Sequence, residues 1–163
     1  MSTEDNKALM RRFLEEVFNK KKLAAIDEFL APNHVDHTLP PGLPGGPEGT
    51  KQAISMTLTA FPDLHLTVED MIAEGDKVVT RFTTHGTQQR AFGGIPPTGK
   101  HVKVSTIEIT RIAGGKLVED WGLDDRLGML QQLGVIPVLF GFTFLAGLAT
   151  GMGLIVLWRK VLT

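Results

Sequence analysis

Four runs rich in Val, Ile, Thr and Phe occupy the middle of the chain, at about 64–73, 77–87, 101–112 and 116–123. Glu74-Gly75-Asp76 separates the first two, and Gly114-Gly115 the last two. Linkers this short leave no room for a crossover helix, so each pair is expected to form an antiparallel hairpin. "GGIPPTGK", 93–100, joins the middle runs, and its glycines lack the order of a phosphate loop. Helical periodicity comes first in the chain. Within 4–19, Leu9, Met10, Phe13, Leu14, Val17 and Phe18 fall on one face, behind a start signal at Ser2 or Thr3 followed by acids. Residues 23–30 and 50–61 predict two more helices, and 125–134 a short one that stops at Gly134. The stretch 32–49 is so dense in proline and glycine that no regular element is expected there. Helices followed by antiparallel strands make an α+β pattern. A curved sheet wrapped around helices leaves a cone open at one end, a natural small-molecule site.

The 163 residues suit one domain with an appendage. Absence of cysteine excludes disulfides, thiolate metal sites and a cysteine nucleophile. A net charge of −1 argues against a nucleic-acid partner, which would require a basic stripe. The polar start, MSTEDNK, is no secretory signal. From Ile136 to Trp158 there is no charged residue, and Arg159 and Lys160 follow. Roughly 20 apolar residues span a bilayer. The expectation is a domain over 1–135 and a transmembrane helix within 136–163 that anchors it to a membrane, with Gly147 and Gly151 as a GxxxG and the domain in the cytoplasm.

The segment "EDWGLDD", 119–125, crowds four carboxylates around Trp121. Strict alternation puts Leu117, Glu119, Trp121 and Leu123 on one apolar face, continuing to Asp125, and turns Asp120 to water. A turn after 123 would exchange Asp124 for Asp125. A carboxylate kept dry beside an indole gains basicity, which is what proton abstraction beside a carbonyl needs. Asp125 is also well placed to cap the following helix. His34, Asp36 and His37 are metal-ligand types, but on a proline-rich loop they lack a metal site's spacing, and no metal is expected.

"VDHTLPPGLPGG" (35–46), "RFTTHGTQQRAFGGIPPTGK" (81–100), "ITRIAGGKLVEDW" (109–121) and "DRLGMLQQLGVIP" (125–137) together resemble the SnoaL-like polyketide cyclases, or ester cyclases, of the NTF2-like superfamily. The resemblance implies an α+β cone of N-terminal helices on a curved antiparallel sheet, often dimeric. It also implies an internal acidic general acid/base and no metal or organic cofactor. Well-studied members close a polyketide ring by intramolecular aldol chemistry. The chain departs from the pattern at Glu108, where some members carry histidine, and at Gly122, where some carry another aspartate. The enzyme reading is cofactor-free acid/base catalysis on a hydrophobic carbonyl compound. Asp125 is the expected base, Glu119 its partner or the acid, and His37 a donor at the mouth; Trp121, His34, His85, Glu108 and Arg81 are the expected substrate contacts. The rival is a dimerising, ligand-holding module without turnover, tethered to a membrane.

Overall fold

The computed structural model describes residues 2–136. Helix α1 (Thr3–Leu14) begins at a capping box: Ser2 Oγ accepts from the Asp5 amide (3.1 Å) and Asp5 Oδ2 accepts from the Ser2 amide (2.9 Å). It runs on as a π-helical turn, Glu15–Asn19. A 3₁₀ turn (Leu23–Ala25) and α2 (Ile26–Phe29) lead into β1 (Leu30–Asp36). Then come α3 (Gly46–Ala60), β2 (His65–Glu74), β3 (Lys77–Thr87), β4 (His101–Ala113), β5 (Lys116–Asp124) and α4 (Arg126–Leu133), closed by Gly134 at φ +77°. The sheet order is β1-β5-β4-β3-β2. The two expected hairpins are present, and β3 pairs antiparallel with β4.

The helices cover one sheet face. Met10, Phe13, Leu14 and Val17 from the first helix pack with Ile26, Phe29, Ile54, Leu66, Val78, Phe82, Ile112 and Leu117. A second cluster joins Ala60, Phe61, Leu64 and Val102 to Leu133 of α4. On β4 the even positions Val102, Thr106, Thr110 and Ile112 are buried under the helices, while Lys103, Ser105, Ile107 and Ile109 face outward.

Three expectations need correction. First, the stretch 32–49 is not free of regular structure: β1 crosses Pro32 and α3 begins at Gly46. A proline is tolerated there because β1 is an edge strand, paired on one side only. It runs parallel to β5, so the sheet is mixed rather than antiparallel. Second, among the described residues no helix is long and apolar enough to cross a membrane. The expected transmembrane helix, membrane anchor and membrane-tethered location are therefore not supported; residues 137–163, on which they rested, lie outside the described residues. Third, strict alternation fails along β5.

The other sheet edge, β2, is tied down by one side chain. Asn19 Oδ1 accepts from the Leu66 amide (2.8 Å) and its Nδ2 donates to the Leu66 carbonyl (3.0 Å). Asn19→Ala is expected to cost about 2 kcal/mol by urea denaturation, since both partly buried backbone groups lose their partner. A change below about 0.5 kcal/mol would show that water replaces both bonds.

Candidate active site

Val118 breaks the alternation of β5. Arg111 stands opposite Glu119, yet Ile112 stands opposite Leu117, so Val118 is an extra, bulged residue. One inserted residue inverts every later side chain. Leu117 points into the core, and after the bulge so do Asp120, Gly122 and Asp124, opposite the inward Thr110, Glu108 and Thr106. Glu119, Trp121 and Leu123 emerge on the outer face beside Arg111, Ile109 and Ile107.

The inward row carries a buried pair. His34, on β1, is fully buried and its Nε2 lies 2.7 Å from Asp120 Oδ2. A carboxylate acceptor favours the tautomer with the proton on Nε2. His34 Nδ1 and Asp120 Oδ1 are closed to solvent and have no partner among the described residues. So is Thr80 Oγ1, on β3, across β4 from Asp120. Three orphaned polar atoms in one interior are costly unless something bound there satisfies them. Exposure rises along β5, from Leu117 at 0% through Asp120 at 8% to an exposed Gly122 and Asp124, so the row opens at that end.

Glu108 is half-buried between these levels. Burial is the main cause that pushes its carboxyl up to about 8, and the neighbouring Asp120 adds to it. A hydrogen bond from Thr110 Oγ1 (3.2 Å) opposes the shift, while Asp36 and Asp124 add smaller upward pushes. Thr106 Oγ1 donates to Asp124 Oδ1 (2.7 Å). Asp36 accepts from the Thr38 amide and hydroxyl, which fixes the chain beyond β1.

The structure thus brings together His34 and Glu108 of the sequence-predicted residues and adds Asp120, which alternation had turned to solvent. The others lie elsewhere. Glu119 is on the outer face, where His37 Nε2 (3.0 Å) and Arg111 (3.0 Å) hold it below the ordinary carboxylate range, His37 being the larger cause. His37 stacks on Trp121 (5.0 Å between ring centres), and Lys77 lies over the same indole (5.9 Å). Asp125 is exposed and caps α4, accepting from the Gly128 amide (2.8 Å). Arg81 is exposed and outward, and His85 stacks on His101 at a remove (6.0 Å).

The possible metal ligands do not share one exposure: His34 on β1 is buried, Asp36 at the end of β1 is half-buried, and His37, just beyond it, is exposed. Among the described residues no three His, Asp or Glu side chains gather as metal ligands. A separate cleft of about 600 Å³ lies at the hairpin end, lined by Asn6, Gly75, Asp76, Ile112, Gly114 and Gly115; His34, Glu108 and Asp120 are not among its lining residues.

The SnoaL-like polyketide cyclase family model matches residues 8–133. Nogalonic acid methyl ester cyclase of Streptomyces nogalater is 27% identical over 119 residues, covering 72% of this chain and 89% of the relative. Among solved structures, TsrD from Streptomyces laurentii superposes with a TM-score of 0.76 at 32% identity, covering 83% of this chain and 98% of its own. IdmH from Streptomyces antibioticus, described as a candidate polyketide cyclase, gives 0.68 at 36% identity, covering 83% of this chain and all (100%) of its own. The matched span contains every element from β1 to α4, including the bulged β5 that carries the buried aspartate. With an NTF2-like arrangement of helices on a mixed sheet and a match over most of its length, the chain belongs to the SnoaL-like polyketide cyclase family.

Proposed function

We propose that the protein is a cyclase or isomerase that begins its reaction by removing a proton from carbon next to a carbonyl, with Asp120 as the base and His34 as its positioning residue. The single observation that carries this is the Asp120 carboxyl: one oxygen is held by a buried imidazole and the other has no partner among the described residues. A base must be oriented and desolvated but left one free lone pair, and Asp120 meets that description.

For ring closure, Asp120 takes the Cα proton and the C–H electron pair becomes the enolate. The enolate carbon then bonds to a second carbonyl carbon of the same molecule, whose oxygen takes up a proton and becomes a hydroxyl. The product is an isomer of the substrate, so no oxidant or reductant is consumed. Asp36, Asp120 and Asp124 all bear electrostatically on Glu108 here, and His34 is engaged by Asp120. Such a wall disfavours an anionic ligand. The reading is therefore an uncharged, hydrophobic carbonyl compound with any carboxyl esterified, as in the methyl ester named for the Streptomyces nogalater relative.

The test is to incubate the protein with nogalonic acid methyl ester and a panel of aromatic polyketide methyl esters in D₂O, following Cα exchange by NMR and ring closure by chromatography. Exchange above the uncatalysed rate for at least one ester is the expected result. Binding without exchange across the panel would instead identify a ligand-holding module.

We also infer that a second copy of the chain covers the outer sheet face. Ile72 (65% exposed), Ile107, Ile109 and Leu123 (77% exposed) form an apolar stretch next to Trp121, and Glu119, Arg111 and Lys77 bring both charge signs to the same face. That mixture is self-complementary across a two-fold axis. Ile109→Lys is expected to weaken association by at least about 2 kcal/mol, read as a shift from dimer to monomer in sedimentation. A wild-type chain that sediments as a monomer at all concentrations would refute the inference.

A further inference from the structure

We propose that Glu108 is the acid that completes this site, donating a hydrogen bond and then a proton to the carbonyl oxygen on which charge develops. The inference rests on the reading of Asp120 as base and assigns the opposite half of the proton transfer. Glu108 stands opposite Gly122, and Thr110 opposite Asp120, so the two carboxyl groups are diagonal neighbours on the same inward face. That diagonal is about 7–8 Å between backbone positions, enough to seat a carbonyl group and its adjacent carbon between them. Gly122 contributes no side chain, and Thr38 packs close to where its Cβ would stand (3.2 Å). Oε1 accepts from Thr110, while Oε2 has no hydrogen-bond partner among the described residues and is not among the atoms closed to solvent.

The charged surroundings decide which carboxyl keeps the proton. From β5, Asp120 and Asp124 bear on Glu108, and from β1 Asp36 does so too. His34 is committed to Asp120. Strand β3 presents the Thr80 hydroxyl opposite Glu108. The charged groups of α3 are engaged elsewhere, Lys51 by Asp27 and Glu48 by Gln52. Asp120 thus has an imidazole N–H to support its charge, while Glu108 has one hydroxyl and three acids. The proton belongs on Glu108, and the pair divides into one base and one acid. In the cycle, the Cα proton goes to Asp120 and the Glu108 proton to the enolate oxygen. As the enol carbon bonds to the second carbonyl carbon, the enol proton returns to Glu108 and the proton on Asp120 passes to the acceptor oxygen, so no co-reactant is needed.

Two readouts do not depend on turnover. With glutamate labelled at the side-chain ¹³C carboxyl, one resonance is expected to titrate far above the others and to vanish in Glu108→Gln. If every glutamate titrates in the ordinary range, the proposal is overturned. By calorimetry, 2-naphthol, a stable mimic of an enol oxygen, is expected to bind the wild type at least about 10-fold more tightly than Glu108→Ala, with Glu108→Gln between them. Equal affinities, or no binding to the wild type, also overturn it. In turnover, Glu108→Gln is expected to lose about 10²-fold in kcat and the alkaline fall in rate, because an amide donates a hydrogen bond at any pH but cannot release the proton. A variant that keeps the wild-type plateau and alkaline limb removes Glu108 from the mechanism. If Asp120→Asn is inactive in that same assay, the base reading survives alone.

Discussion

Asp120→Asn is expected to lower kcat for Cα deprotonation by about 10³-fold while changing ligand affinity by less than about 3-fold. The substitution is close to isosteric. Asparagine Oδ1 can still accept from His34 Nε2, so the bond now measured at 2.7 Å has a replacement and β1 stays joined to β5. What disappears is the free carboxylate lone pair, since an amide nitrogen has none to offer. The effect therefore falls on the chemical step rather than on binding, the pattern of an interaction made only in the transition state. Isotope exchange in D₂O separates the two quantities, because it reports proton removal even when ring closure is slow. Exchange within about 3-fold of wild type would end the assignment of Asp120 as base. His34→Gln should fall between the two, as it keeps an amide donor toward Asp120 without the imidazole's fit.

These residues show where the chain could be read and where it could not. The hairpins were legible because Gly75 and Gly114-Gly115 leave two residues or so to reverse direction, at positive φ. The stop at Gly134 was legible for the same reason. The site was not legible from alternation, because Val118 is as apolar as a core residue and nothing in "KLVEDWG" marks it as extra. Counting by twos through it exchanges Glu119 for Asp120 and sends Trp121 the wrong way. Tryptophan misled for a physical reason too: an indole is assumed to seek the interior, but here His37 and Lys77 cover it on the outer face. The second failure was at 34–37. Read as a proline-rich loop, "HVDH" has no faces. As strand β1, it sends His34 inward and Val35 outward, and His37, just beyond it, is exposed. A parallel edge strand joined to a partner far along the chain leaves no local trace, since its register is set by β5 and not by a turn. Gly122 was the available hint: a residue without a side chain, midway along a strand, marks a close approach or a space. Here its added Cβ would meet Thr38 at 3.2 Å, next to Glu108.

Glu108→Gln is expected to stabilise the fold at neutral and alkaline pH, by on the order of 3 kcal/mol at pH 9. The sign follows from proton binding. The ordinary value of 4.5 describes Glu108 in the unfolded chain, and burial raises it to about 8 in the folded one. Below the first value both states hold the proton and the glutamate makes no pH-dependent contribution. Between the two, the unfolded chain releases a proton that the folded chain retains, so wild-type stability falls as pH rises and levels off above about 8. The full shift corresponds to at most about 5 kcal/mol, and partial access to solvent reduces it. Glutamine keeps the shape and can still accept from Thr110, and it has no charge to desolvate. Urea midpoints at pH 5, 7 and 9 should therefore be nearly equal for the two proteins at the lowest pH and diverge steadily above it. Glu16 and Glu119 are held below their ordinary values, so their contributions change at more acid pH and cancel in the comparison. Parallel curves would mean that Glu108 is solvated like any surface acid. Divergence would have a further meaning. A buried carboxyl that weakens the fold, among three other acids and in a row where a neutral residue fits, is a cost in stability that a packing role does not explain. Donation to a ligand oxygen does, because only the protonated acid supplies both the hydrogen bond and the proton.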